Sequence, residues 1–178
     1  MDSSRLDENL IVRMGAGDAS AFRELYAATS DLVFGFALSI VKNDSDAEDV
    51  MHDAYIKVFQ SAASYQPLGK PMAWILTIVR NLALNKIRQR KPTIDLSECE
   101  HITAASRASD PVDRMVLEAA LEVLDLEERQ IVILHALAEL KHREIAHVMQ
   151  IPLGTALSKY HRALGKLRRE IEGRGEMA

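Results

Sequence analysis

Apolar residues along this chain recur every three or four positions rather than every second one, which is the period of an α-helix and not of a strand. Met72, Leu76, Val79 and Ala83 form one such stripe, and Ala47, Val50, Met51, Ala54 and Val58 form another. Pro and Gly punctuate the sequence sparsely, so the pattern predicts an all-α protein. Asp18 is placed to cap a helix from Ala19 through Tyr26, with a separate apolar run from Leu32 to Val41. Ser45 and Glu48 have capping-box spacing ahead of a helix ending near Ala62. Ser64 to Pro71 reads as a loop, and Pro71 suits the first turn of a helix reaching Arg90 or so. In the second half, helices are predicted over roughly 111–124, 126–138, 141–149 and 155–172.

The helical pattern lapses over residues 91–111, a polar stretch bounded by Pro92 and Pro111. It predicts two small helical domains, residues 1–91 and 112–178, joined by a flexible linker over 92–111. Within the second domain, residues 141–150, the turn Ile151-Pro152-Leu153-Gly154 and the segment from Thr155 have the layout of a helix-turn-helix. In its last helix Leu153, Leu157, Tyr160, Leu164 and Leu167 are predicted to face a core. Thr155, Lys159, Arg162, Lys166 and Arg169 repeat that spacing on the far side as a cationic row.

Composition narrows the class. At 178 residues, 48% apolar and 27% charged, the chain can bury a core but cannot build a large enzyme barrel. Cys99 is the lone cysteine, so no intrachain disulfide is available. The acidic start is unlike a signal peptide, and the apolar runs are broken before the roughly 20 residues a bilayer demands. A cytoplasmic protein without membrane insertion is expected. The net charge of −4 conceals segregation. Residues 70–91 hold six bases and no acid, and residues 141–169 hold seven bases against Glu144 alone. By contrast, residues 42–53 carry one base against five acids. Two basic stretches in an acidic protein point to docking on a polyanion at two places.

The side chains on the first basic stretch sharpen this reading. Thr77, Arg80, Asn81, Asn85 and Arg88 share the side of their helix opposite the apolar stripe. Asparagine is a poor helix former, and amides beside a guanidinium are suited to base edges and phosphates. Catalytic and metal signatures are lacking. The segment 44–49 has Asp49 where a calcium loop requires Gly, His142 and His147 are five apart, and there is no phosphate-binding Gly-rich loop or nucleophile elbow. No cofactor, no metal and no enzymatic activity are expected. Trp74 and Tyr55 are read as core residues.

Asp46-Ala47-Glu48-Asp49-Val50-Met51-His52-Asp53-Ala54-Tyr55, followed by Pro71-Met72-Ala73-Trp74-Ile75-Leu76-Thr77 and Arg80-Asn81-Leu82-Ala83-Leu84-Asn85, resembles region 2 of the bacterial sigma-70 family, in its extracytoplasmic-function group. Leu126-Glu127-Glu128-Arg129-Gln130, Glu144-Ile145-Ala146 and residues 151–163 resemble region 4. The resemblance spans about residues 8 to 172, in the family's order. It implies a promoter-specificity subunit that binds core RNA polymerase and needs no catalytic residue of its own. The 46–59 helix would meet the polymerase through Asp46, Asp49, Asp53 and Lys57. Thr77, Arg80, Asn81, Asn85 and Arg88, with the 64–70 loop, would read and melt the minus-10 element of promoter DNA. Thr155, Ser158, Lys159, His161, Arg162 and Lys166 would serve the minus-35 element, and an anti-sigma factor would be a further partner. Two departures stand out: Ala156-Leu157 replace the family's usual Val and base, and Met149-Gln150 replace a common Leu-Gly. The alternatives are a helix-turn-helix regulator acting without polymerase and a sigma mimic that titrates an inhibitor.

Overall fold

The computed structural model of the chain describes residues 6–89 and 122–175. Seven α-helices and one 3₁₀ turn, with a short helical end at Glu122 and Val123, make up the regular structure of these residues, and no strand occurs among them. In chain order they are α1 (Asn9–Gly15), α2 (Ala19–Val41), α3 (Asp44–Ser61), the turn Ala62–Ser64, α4 (Pro71–Gln89), α5 (Leu126–Ala136), α6 (His142–Met149) and α7 (Leu153–Gly175). The predicted linker over 92–111, Cys99, Arg90 and most of the predicted helix over 111–124 lie outside the described residues.

Asp18 caps α2 as expected, its carboxylate accepting from the Ser20 and Ala21 amides at 2.8 and 3.4 Å. The Ser20 hydroxyl and the Arg13 guanidinium hold that carboxyl well below the usual carboxylate range. The break expected after Tyr26 does not occur, and α2 runs unbroken for 23 residues. Its polar middle is satisfied from within: the Thr29 hydroxyl donates to Leu25 O at 2.7 Å and also bonds the Tyr55 hydroxyl at 2.7 Å. By length and composition α2 could cross a membrane, contrary to the expectation that apolar runs stop short, but 61% of its most apolar stretch is buried in the bundle. At α3 the cap is Asn43, whose side chain accepts from the Asp46 amide at 2.9 Å, so the predicted Ser45–Glu48 box does not form. The helix begins two residues earlier than that box requires.

The predicted stripes of α3 and α4 are buried, packing with Leu25, Phe36 and Leu38 of α2. That core continues without interruption into Ile131, Ile133, Leu134, Ile145 and Met149 of α5 and α6. Two halves expected to be tethered loosely are therefore packed together. Arg129, buried on α5, donates from Nη1 to Ser39 O of α2 and from Nη2 to Leu124 O, both at 2.9 Å. Arg80 Nε on α4 donates to Gln130 Oε1 on α5 at 2.8 Å.

The last helix is rotated relative to its prediction. Ala156 and Ala163 are fully buried, with Tyr160 and Leu167 packed beside them, whereas Leu153 and Leu164 are 36% and 41% exposed. Two alanines on the contact line let α7 approach α5 more closely than leucines would, so small residues win the core face here. The helix-turn-helix closes on Gln150 in the left-handed region, φ 56° and ψ 43°, where the Ile151 amide bonds Ala146 O at 3.0 Å. A glycine carries no Cβ penalty in that conformation. Gln150→Gly is accordingly expected to stabilise the protein by about 1 kcal/mol, seen as a melting temperature a few degrees higher.

Candidate nucleic-acid interface

The face of α4 opposite its buried stripe divides in two. Asn81, Asn85 and Arg88 are exposed, with Arg88 Nη1 donating to Asn85 Oδ1 at 3.5 Å. Thr77 and Arg80 are half-buried: the Thr77 hydroxyl donates to Ala73 O at 2.8 Å, and Arg80 is held by Gln130. Burial pulls the Arg80 guanidinium below its ordinary pKa. The side chains expected to read nucleic acid thus share one face, but Arg80 is occupied by the second half of the molecule.

Beside that face lies a cleft of about 480 Å³ between the 64–70 loop, the start of α4 and α6. Trp74 and Tyr65 form its aromatic wall, their ring centroids 4.7 Å apart, and Thr77, Lys70, Glu144 and His147 complete it. An aromatic wall with flanking hydroxyl and amide groups can stack and hold a base lifted out of a helix. Trp74, expected in the core, packs half-buried against its edge and also lines this cleft, while Tyr55 is buried as predicted. The sequence signal for the cleft was Trp74 one turn before the predicted reading residue Thr77, an aromatic on a helix whose apolar stripe is already complete.

On α3 the acidic residues flank the opposite edge. Asp49, Asp53 and Lys57 are exposed and Asp46 is half-buried. Lys86 of α4 bridges to Asp49 at 2.8 Å and to Asp46 at 3.5 Å, and its pKa is raised by the hydrogen bond it donates to Asp49. Two apolar side chains passed over by the sequence reading sit among them: Ile56 is 57% and Phe59 is 52% exposed. Their signal was present, since Ile56 and Phe59 fall off the buried stripe.

The second candidate face lies on α7. Ser158, His161 and Arg162 are exposed and Thr155 is half-buried, with the Ser158 hydroxyl donating to Gly154 O at 2.9 Å. Lys159 and Lys166 turn instead toward the acidic start of α5. Lys159 Nζ lies 2.8 Å from Glu127, and Lys166 Nζ lies 2.5 Å from Glu128 and 4.0 Å from Asp125. Glu128 is fully buried and doubles as the capping-box residue of α5, its amide bonded to Asp125 Oδ1 at 2.9 Å. The single cationic row expected from spacing is therefore split. Ser158, His161 and Arg162 are exposed, Arg162 Nη1 also reaching Glu128 Oε1 at 3.9 Å, and the two lysines brace the helix-turn-helix, because α7 is rotated as described above.

Both halves of the chain are similar to known proteins. Sigma-70 region 2 matches residues 25–93 and Sigma-70 region 4 matches residues 114–167. The RNA polymerase sigma factor CarQ of Myxococcus xanthus is 32% identical over 93% of this chain and 97% of its own length. The ECF RNA polymerase sigma factor SigW of Bacillus subtilis (strain 168) is 25% identical over 90% of this chain and 94% of its own. Among solved structures, CnrH in complex with the cytosolic domain of CnrY superposes with a TM-score of 0.68 at 21% identity, covering 94% of this chain and 97% of that one.

Proposed function

Because the chain belongs to the sigma-70 family, in its extracytoplasmic-function group, we propose a division of labour among its surfaces within the family's role of directing core RNA polymerase to promoters. It is a transcription initiation factor and not an enzyme. Asn81, Asn85 and Arg88, with Thr77 and Arg80 once α5 withdraws, read the minus-10 element. The Trp74–Tyr65 cleft receives a base from the opened strand. Strand opening is then driven by stacking and polar contacts, with no nucleotide hydrolysis by this chain. Ser158, His161 and Arg162 read the minus-35 element in the major groove, with Thr155 at the edge of that face. Asp49, Asp53 and Lys57, around Ile56 and Phe59, and Asp46 beside them, hold the polymerase. The cytoplasm, where polymerase meets DNA, is the proposed site of action. An anti-sigma factor covering one of these surfaces is the proposed means of control.

The observation that carries this reading is that an acid-free segment presents Asn81, Asn85 and Arg88 on one open helix face directly beside an aromatic cleft. Reconstitution with bacterial core polymerase on a pool of genomic fragments tests it, with transcript 5′ ends sequenced. Transcripts starting at discrete sites only when the chain is present are expected; their absence, together with absence of core binding, overturns the reading. Asn81→Ala and Arg88→Ala should each lower open-complex formation by about 5- to 150-fold, the equivalent of about 1–3 kcal/mol per base contact. Core capture by either variant should be unchanged.

A further inference from the structure

Glu8 precedes α1, in a part of the chain ahead of the region 2 match that begins at residue 25. Its Oε1 accepts two hydrogen bonds from the 64–70 loop: from the Tyr65 hydroxyl at 2.5 Å and from the Gly69 amide at 2.9 Å. These two donors stand at opposite ends of the loop. Between them Gln66, Pro67 and Leu68 are exposed, Leu68 to 75%, and the Gly69 amide ties the far end of this stretch to Glu8. Gly69 takes a φ of +71°, which turns its amide inward toward the carboxylate.

The support behind Glu8 is rigid. Gly15, at the other end of α1, is so close to the turn Ala62–Ser64 that a Cβ there would lie 2.7 Å from Ala62 O. Helix α1 is thus pressed against the segment from which the loop departs. Tyr65, fixed at its hydroxyl by Glu8, presents its ring to Trp74 at 4.7 Å and forms the wall of the cleft with it. A carboxylate accepting two bonds from one loop fixes that loop before any ligand arrives, so the cost of ordering it is met on folding rather than on binding.

We infer that Glu8 is a positioning residue for promoter reading: it clasps both ends of the 64–70 loop and so sets the shape of the cleft that discriminates the unstacked base. The inference rests on the reading of that cleft given above. Glu8 touches no nucleic acid. Its effect reaches the base through Tyr65 and the loop backbone, and it should therefore act on selectivity at one position rather than on affinity everywhere.

The test uses holoenzyme reconstituted from the full chain and core polymerase, incubated with duplexes carrying a randomised ten-base-pair block, the bound fraction being sequenced. Glu8→Ala is expected to flatten base preference at one position by about tenfold, with core capture and the preferences at other positions retained. Tyr65→Phe, which keeps the ring against Trp74 but removes one donor, should flatten the same position. Glu8→Gln, whose amide oxygen can accept the same two bonds, should restore most of the preference. Unchanged preference in both Glu8→Ala and Tyr65→Phe overturns the inference. So does a uniform loss at every position accompanied by a lower melting temperature, which would mark Glu8 as a stabilising residue only. A wild-type holoenzyme without preference at any position overturns the promoter-reading role itself, and this inference with it.

Discussion

Ile56→Asp is expected to lower capture of core RNA polymerase by at least a hundredfold without unfolding the protein. Ile56 is 57% exposed on α3, one turn from Asp53 and beside Lys57, and Phe59 adds a half-exposed ring on the same face. Large apolar side chains ringed by charge are the residues that carry binding energy when a partner dries them, at about 2–4 kcal/mol each. A carboxylate placed there must be desolvated to bind, which adds to the loss. Because most of the side chain is already in water, the fold loses little. Phe59→Asp should have the same direction with some loss of stability, since that ring also meets Phe22 edge-on at 6.0 Å. Pull-down against core polymerase, paired with thermal melting of the variant, separates the two effects. Full core binding by Ile56→Asp would remove α3 from the polymerase interface.

The second large effect is expected at Arg129. Its guanidinium is buried between the two halves and bonds a backbone carbonyl in each, Ser39 O on α2 and Leu124 O ahead of α5. Hydrogen bonds from a charged donor contribute about 1.5–3 kcal/mol apiece, and burial already pulls this group below its ordinary pKa. Arg129→Leu keeps apolar bulk but leaves both carbonyls without that donor. The seam between α2 and α5 should open in the free chain. A compact chain of 178 residues has a radius of gyration of about 16 Å. Solution scattering should therefore report about 16 Å for the wild type and a clearly larger value for Arg129→Leu, with helical content nearly unchanged. Equal values would show that the seam holds without Arg129.

These two predictions bracket what the sequence made legible. Helix existence and the buried stripes of α3 and α4 followed from periodicity, because apolar spacing reports the face a helix must hide. Region 2 and region 4 were legible through linked motifs. The continuity of α2 was not, because Thr29 looks like a polar interruption until its hydroxyl is seen bonded to Leu25 and Tyr55. The rotation of α7 was missed because leucine outranks alanine in hydrophobicity. Close helix approach reverses that order at Ala156 and Ala163, and it carries Lys159 and Lys166 from the expected reading face to the acids of α5. The packing of the two halves had no local signal: Arg80–Gln130 and Arg129–Ser39 pair residues 50 and 90 positions apart.

That packing decides how the protein must work. Elements centred near minus-10 and minus-35 are about 25 base pairs apart, roughly 85 Å along B-form DNA at ~3.4 Å per base pair. Helices joined through Arg80 and Gln130 at 2.8 Å cannot occupy both. Withdrawal of α5 and α6 would release Arg80 and uncover the side of the cleft now walled by Glu144 and His147. On the proposed assignment of surfaces, the closed arrangement withholds part of the minus-10 surface until the halves separate.

The most direct measurement is the distance between the halves, read by fluorescence energy transfer between dyes on Arg23→Cys and Arg143→Cys, both exposed positions, in a Cys99→Ser background. High transfer is expected for the free chain. Transfer should collapse when core polymerase is added and stay low in transcribing complexes. Transfer that stays high while the labelled protein supports promoter-dependent transcription would contradict the account.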